Sequence, residues 1–382
     1  CEAFQQADLE VELITCRYLD KFDISPYRDL WQYYGIRTPF KFRELPSLQR
    51  DSLDHAPWYG KIPHIGGVSA VVSLAIYWMY RCLADRSTLR GSVIYAREIR
   101  MAWWAWHIQR RFGLNVPMFF EAHRDVERDR WLERSLPHMT GIVAITHALK
   151  DRLVGRYGLD PERILVEPDA VSLADYAPDD RSVQGLRLQL GLPAPPIKLI
   201  GFAGNLYPGR GGEELIQAIQ GLPERIRLVF VGGQPEDLQR LRSLSEGLGV
   251  GNRIQFVGHV PPATVAQYLK AVDVLVAPYT LNIATAPYTS PMKIFEYMAA
   301  RKPMVVGHLP VLEEVLQDGR NCLFVPPGDV QALANGLKRV LEDGEWGQSL
   351  AQNAYTDVQP FTWQARAGRI VAFIEAVHKS QI

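Results

Sequence analysis

Leu199-Ile-Gly-Phe-Ala203 runs directly into Gly204-Asn205-Leu206-Tyr207-Pro208-Gly209-Arg210-Gly211-Gly212, and Glu213–Ile219 then continues as a helix. A glycine-rich loop between a strand and a helix turns bare backbone N–H groups toward an anion, and the helix dipole assists. No Gly-Lys-Ser/Thr follows, so the loop is not a Walker A loop. Glu214 stands where a GxGxxG fingerprint needs its third glycine. Arg210 at the loop tip adds a permanent, bidentate phosphate donor. The other reading is a glycine-rich turn carrying a solvated arginine.

Outward from this stretch, short β-branched runs alternate with helical ones. Val11–Thr15, Ser92–Ala96, Val116–Glu121, Gly141–Ile145 and Ile164–Glu167 form the first set. Lys198–Ala203, Arg227–Val231, Arg253–Val257, Val272–Ala277, Pro303–Val306 and Asn321–Val325 form the second. Continuously apolar strands separated by helices mean parallel sheet covered on both faces. The fold class is therefore α/β, with two Rossmann-like, doubly wound domains. The expected boundaries are 1–178 for the first domain, 179–196 for a Pro- and Asp-rich hinge (Asp179, Asp180, Pro193, Pro195, Pro196), and 197–360 for the second, with a C-terminal helix at 361–382. Ligands of such sheets collect outside the carboxyl ends of the strands, and the cleft between two domains is the expected site.

A length of 382 residues is ample for two or three cores at about 150 residues per domain. Lys+Arg 42 against Asp+Glu 42 gives no net charge, which argues against a nucleic-acid partner bound through bulk electrostatics. The four cysteines (Cys1, Cys16, Cys82, Cys322) are far apart with no CxxC, fitting reduced thiols in a cytoplasmic protein. No basic and then apolar leader opens the chain, and its first residue is Cys1; the expectation is that a first strand and its glycine-rich loop precede it. Ile62–Tyr80 has no charged residue, but Pro63, His64, Gly66 and Gly67 favour a buried or interfacial helix over a membrane span. Trp103, Trp104, Trp106, Arg110 and Arg111 suit either peripheral contact with the inner membrane face or packing against the sheet. No Asp-x-Asp or His-x-x-x-His occurs, so the expected metal is none and the expected cofactor none.

Two further stretches carry chemistry. Ser290-Pro291-Met292-Lys293-Ile294-Phe295-Glu296-Tyr297-Met298-Ala299-Ala300 follows the Val272–Ala277 strand. Ser290 is the expected N-cap and Pro291 the first helical residue, making a second helix end for an anion. Glu296 suits either two ribose hydroxyls or a surface pair with Lys293. In Phe119-Phe120-Glu121-Ala122-His123-Arg124-Asp125, His123 closes a strand, where it either orients a reacting oxygen or is structural.

Taken together, these residues resemble the family 4 retaining glycosyltransferases of the GT-B fold, over almost the whole chain. Ser290–Pro303 resembles the second half of that family's Glu-x7-Glu signature. Asp273-Val-Leu-Val-Ala-Pro278, Phe256-Val-Gly-His-Val-Pro261, Phe230-Val-Gly-Gly233 and Glu167-Pro-Asp-Ala-Val171 follow family order and spacing. The resemblance implies that Glu296 holds the donor ribose and that Val260 meets the base. It implies that Gly204, Asn205, Arg210, Ser290, Pro291, Met292 and Lys293 bind the diphosphate. His123, Tyr288 and Thr289 would border the donor sugar, with Arg210 and His123 the catalytic candidates. Tyr288 stands where the signature has its first glutamate, Asn205 where a basic residue is usual, and Arg301 where a glycine is usual. The implied function is metal-independent, retaining transfer of a sugar from a nucleotide-diphosphate sugar to a carbohydrate, lipid-linked or small-molecule acceptor. A sugar-nucleotide epimerase and a non-catalytic nucleotide-sugar-binding subunit are the alternatives.

Overall fold

The computed structural model describes residues 1–18, 29–49, 65–124, 129–178 and 181–379. Asp125, Asp179, Asp180 and the 62–64 segment, singled out above, lie outside the described residues. The chain forms two compact units, Cys1–Glu167 with Arg366–Ile382, and Pro168–Ala365.

In the first unit, β1 (Glu12–Tyr18) pairs in parallel with β2 (Lys41–Gln49), Glu12 facing Lys41 across the register. This corrects the placing of Val11–Thr15 in the main sheet. Strand β2, Lys-Phe-Arg-Glu-Leu-Pro-Ser-Leu-Gln, was not expected: Pro46 and the charges mask its pattern, and a two-stranded sheet tolerates both at its edges. The Ile65–Ala84 helix is tied to this sheet by Ser73, whose hydroxyl donates to Pro46 O at 2.5 Å, and by Arg81, which pairs with Glu12 at 2.6 Å. The main sheet is β3 (Ile94–Ala96), β4 (Met118–Ala122), β5 (Gly141–Ala144) and β6 (Ile164–Val166), parallel and in chain order. Strands β4 and β5 are buried along their whole length, as expected of inner strands of a covered parallel sheet, although β4 carries Glu121.

The second unit holds six parallel strands: β7 (Lys198–Ala203), β8 (Ile226–Val231), β9 (Ile254–Gly258), β10 (Val274–Ala277), β11 (Met304–Gly307) and β12 (Leu323–Val325). Their order is β12-β11-β10-β7-β8-β9. The chain winds one way from β7 and the other way from β10, so these neighbours define the switch point at which such sheets bind ligands. Phe202, Phe230, Val274, Val276 and Val305 from the strands meet Leu215, Leu241 and Leu337 from the helices in one core. Each such side chain contributes about 1.5–3 kcal/mol on full burial.

Within the expected hinge at 179–196, residues 183–189 form a helix. Ser182 caps this helix, Val183–Gln189, by accepting from Gly185 N at 3.1 Å. On that helix Arg187 is 1% exposed. It donates to Ala271 O at 2.8 Å, to Ile197 O at 3.0 Å and to Asp273 at 2.6 Å. Asp273 also accepts from Leu199 N at 2.7 Å, so one ion pair locks this segment to the starts of β7 and β10. The unit boundary falls instead at Glu167 and Pro168, and the return to the first unit at Arg366.

Candidate active site

Two loops meet at the switch point of the second unit. The first leaves β7 through Gly204, at φ 123°, and reaches the Gly212–Gln220 helix through Gly209 and Gly211. A Cβ on Gly211, whose φ is 83°, would lie 1.8 Å from Pro278 O, so only glycine lets this loop touch the one leaving β10. Thr280 clips them together, its hydroxyl donating to Gly209 O at 3.0 Å. The second loop ends at the Met292–Ala299 helix. That helix begins one residue later than expected, with Pro291 at the N-cap position. Ser290 does not cap it: its hydroxyl accepts from Asp169 N at 3.0 Å, holding the loop rather than the helix end.

This arrangement gathers positive charge. Lys293 Nζ is buried, has no hydrogen-bond partner, and lies 3.9 Å from the centroid of the Phe202 ring and 5.6 Å from that of Tyr279. The position of a Cβ on Gly204 is 3.2 Å from Lys293 Nζ, so the bare Gly204 backbone and the ammonium face each other. Burial lowers the Lys293 pKa from 10.5 to about 7; Arg210 pushes it the same way and Glu296 opposes. Arg210 lies over the Tyr207 ring, 4.7 Å from its centroid, and bonds the phenol through Nη2, while its buried Nε has no partner. Glu296 makes neither a hydrogen bond nor an ion pair among the described residues, which corrects the surface pairing with Lys293 that its spacing allowed. Burial raises its carboxyl pKa, with Lys293 opposing and Asp175 adding to the rise.

The first unit carries a separate cluster at the carboxyl end of β4. Glu121, 5% exposed, accepts from the Tyr95 hydroxyl and from Arg366 at 3.3 Å. Burial alone would raise its pKa, but His123, Arg366 and Tyr95 outweigh burial and hold the carboxyl well below the usual range. An ionised carboxylate only accepts, so His123 donates to it through Nε2 at 2.5 Å. Arg97 Nη2 lies 2.8 Å from the same ring nitrogen. His123 is therefore oriented by an ion cluster rather than alone at a strand end.

Residues 197–343 match the family model described as glycosyl transferases group 1. The D-inositol 3-phosphate glycosyltransferase of Corynebacterium efficiens is 30% identical over 256 residues, 64% of this chain and 58% of the relative. Residues 197–343 thus carry the group 1 glycosyl transferase pattern. A Nocardioides relative of the same name is 31% identical over 244 residues, 59% of this chain and 51% of its own. The chain thus spans less than two thirds of the length of these curated relatives. Sucrose-phosphate synthase from Thermosynechococcus elongatus superposes with a TM-score of 0.73 at 20% identity, covering 99% of this chain and 92% of that one. Anabaena HepE in complex with UDP gives 0.70 at 18% identity, covering 96% and 99%. These likenesses show the fold, which is GT-B.

The second unit brings together Gly204, Asn205, Arg210, Lys293 and Glu296 of the expected residues. Asn205 and Met292 are exposed, Thr289 half-buried, and Tyr288 buried at 5% exposure. Val260 follows β9, two strands from β7, at the start of the Pro262–Ala271 helix. His123 lies in the first unit. Sequence reasoning missed Glu121, Tyr95, Arg97 and Arg366. Glu121 was the only one with a signal, a carboxylate inside an apolar strand two residues before His123. No group of three or more His, Cys, Asp or Glu able to hold a metal occurs among the described residues.

Proposed function

We propose that this chain transfers a sugar from a nucleotide-diphosphate sugar to a hydroxyl acceptor, with retention and without a metal ion. The observation that carries the reading is the pair of partnerless cationic nitrogens, Lys293 Nζ and Arg210 Nε, between two helix N-termini at the switch point. Buried donors without acceptors are costly unless a ligand supplies them, and a diphosphate supplies oxygens for both. The two cations and the two helix ends would neutralise the charge that grows on the diphosphate as it leaves, the role a metal would otherwise fill. Glu296 would accept from the donor ribose, Val260 would meet the base, and Tyr288 and Thr289 would border the sugar. His123, held by Glu121 and Arg97, would bind the transferred sugar. The acceptor hydroxyl would arrive on the face the diphosphate leaves, through an oxocarbenium-like state.

Anabaena HepE is captured with UDP and with UDP-glucose, so uridine donors head the test panel. The named relatives put a polyol phosphate first among acceptors. The thiols of Cys1, Cys16, Cys82 and Cys322 are all free, which supports placing the protein in the reducing cytoplasm. A thermal-shift panel of nucleoside diphosphates and nucleotide sugars tests binding: a ligand at 100 times its Kd adds about 2.7 kcal/mol. Product analysis then separates the readings. A glycoside with the donor's anomeric configuration supports transfer. An isomerised nucleotide sugar formed without acceptor means an epimerase, and binding without turnover means a non-catalytic subunit.

A further inference from the structure

The Ile65–Ala84 helix of the first unit turns an apolar face to solvent. Val72, Ile76, Met79, Tyr80 and Leu83 recur at three- and four-residue spacing, and each is 43–62% exposed. The stripe is about 17 Å long at 1.5 Å per residue. Ala70, Trp78 and Cys82 take the buried side. Arg81 does not break the stripe, because it is drawn to Glu12 at 2.6 Å and Asp85 at 2.7 Å.

The net charge beside this stripe is positive. Residues 65–113 hold seven arginines and two acidic residues in a chain whose net charge is zero. Both acids are already paired, Asp85 with Arg81 at 2.7 Å and Glu98 with Arg100 at 3.0 Å. Arg86 and Arg90 on the Arg86–Arg90 helix, and Arg110 and Arg111 closing the Ile99–Arg111 helix, are exposed. Arg86 donates to Phe112 O at 2.7 Å and so joins the two helix ends. The four arginines thereby gather at the end of the stripe that Leu83 marks.

We propose that this face lies on a lipid surface carrying anionic headgroups, the stripe seated among the acyl-chain ends and the arginines on headgroup phosphates. An apolar helix face flanked by arginines of one sign has the two attractions an interfacial helix needs, burial of apolar area and complementary charge. Among the described residues no helix is long and apolar enough to cross a membrane, so the helix lies in the interface plane. The tryptophan cluster expected to make such contact is mostly occupied. The Trp103 and Trp106 rings stack at 6.0 Å, and Trp106 lies 3.9 Å from the His138 ring, which leaves Trp104 as the exposed one.

The test is co-sedimentation of the full chain with phosphatidylcholine vesicles, with and without phosphatidylglycerol. It needs neither donor nor acceptor, so its result is independent of the glycosyl-transfer reading. The wild type is expected to sediment with the anionic vesicles, and less so as salt is raised. Ile76→Glu with Leu83→Glu is expected to remove the binding, and Arg90→Glu with Arg111→Glu to weaken it about tenfold. Circular dichroism and unchanged donor binding confirm that the variants fold. Failure of the wild type to sediment overturns the proposal, as does equal binding by the Ile76/Leu83 variant. Concentration-dependent dimerisation lost in that variant, with no vesicle binding, assigns the stripe to a second copy of the chain and overturns it too.

Discussion

Lys293 places an ammonium where no described residue accepts its hydrogen bonds, and its pKa falls from 10.5 to about 7. Between those two values the unfolded chain binds a proton that the folded chain lacks. Stability therefore declines as pH drops from 10.5 toward 7 and levels off below that. Lys293→Met is expected to raise the urea midpoint of the ligand-free protein, more at pH 7 than at pH 9, while weakening diphosphate binding at least tenfold by calorimetry. A midpoint lower than wild type at pH 7 would show that Nζ has a partner after all. Arg210 differs, because a guanidinium stays charged and can fork onto phosphate oxygens. Arg210→Ala is expected to lower kcat by about 10²–10³ and raise KM, Arg210→Lys to recover part, and added Mg²⁺ to recover none. A change in KM alone would mean uniform binding and end the catalytic role. Glu296→Gln should weaken nucleoside diphosphate and nucleotide sugar equally, by about 1.5–3 kcal/mol, since both share the ribose. Unchanged affinity would remove Glu296 from the site.

At the scale of elements, the site depends on parts remote from it. The Val183–Gln189 helix has no chemistry of its own, yet its Arg187 fixes Asp273 and through it the starts of β7 and β10. Those strands carry the two loops that gather Lys293 and Arg210. Arg187→Ala is expected to cost about 2 kcal/mol, because it removes three buried hydrogen bonds and leaves Asp273 with only the more distant Lys198, at 3.6 Å. Denaturant unfolding reads that cost; a loss under about 0.5 kcal/mol would return the segment to the status of a loose linker. The glycine-rich loop was legible as a strand–loop–helix signal. Its closeness to Pro278 was not, because a Cβ clash with a residue 67 positions away leaves no local pattern.

For the whole molecule, the C-terminal Arg366–Ile382 segment belongs to the first unit through charge. Arg366 reaches Glu121 at 3.3 Å, and Arg369 grips Glu167 with bonds of 2.6 and 2.9 Å. Truncation after Ala365 would leave the buried carboxylates of Glu121 and Glu167 without these arginines. The expected result is a lower first-unit transition in calorimetry, with the diphosphate still raising the second-unit transition. If truncation abolished nucleotide binding as well, the second unit would not hold the donor by itself. The charge balance also has meaning only at this scale: a chain of zero net charge has seven arginines and only two acidic residues between 65 and 113, beside one apolar stripe.

Sequence alone determined the α/β class, ten of the eleven expected strands in their sheets, and the strand–loop–helix character of the Gly204–Gly212 stretch. Those features are written in local periodicity, glycine placement and helix-start residues, which act over a few positions. Tertiary structure decided the rest. It moved β1 out of the main sheet and joined it to β2, made residues 183–189 a helix anchored through the buried Arg187, and gave Ser290 to Asp169 instead of to its helix. It also built the ion cluster that orients His123, since Glu121 and Arg366 stand 245 residues apart. Burial did this work: which charges lose water, and which partners replace it, depends on neighbours that only the folded chain supplies.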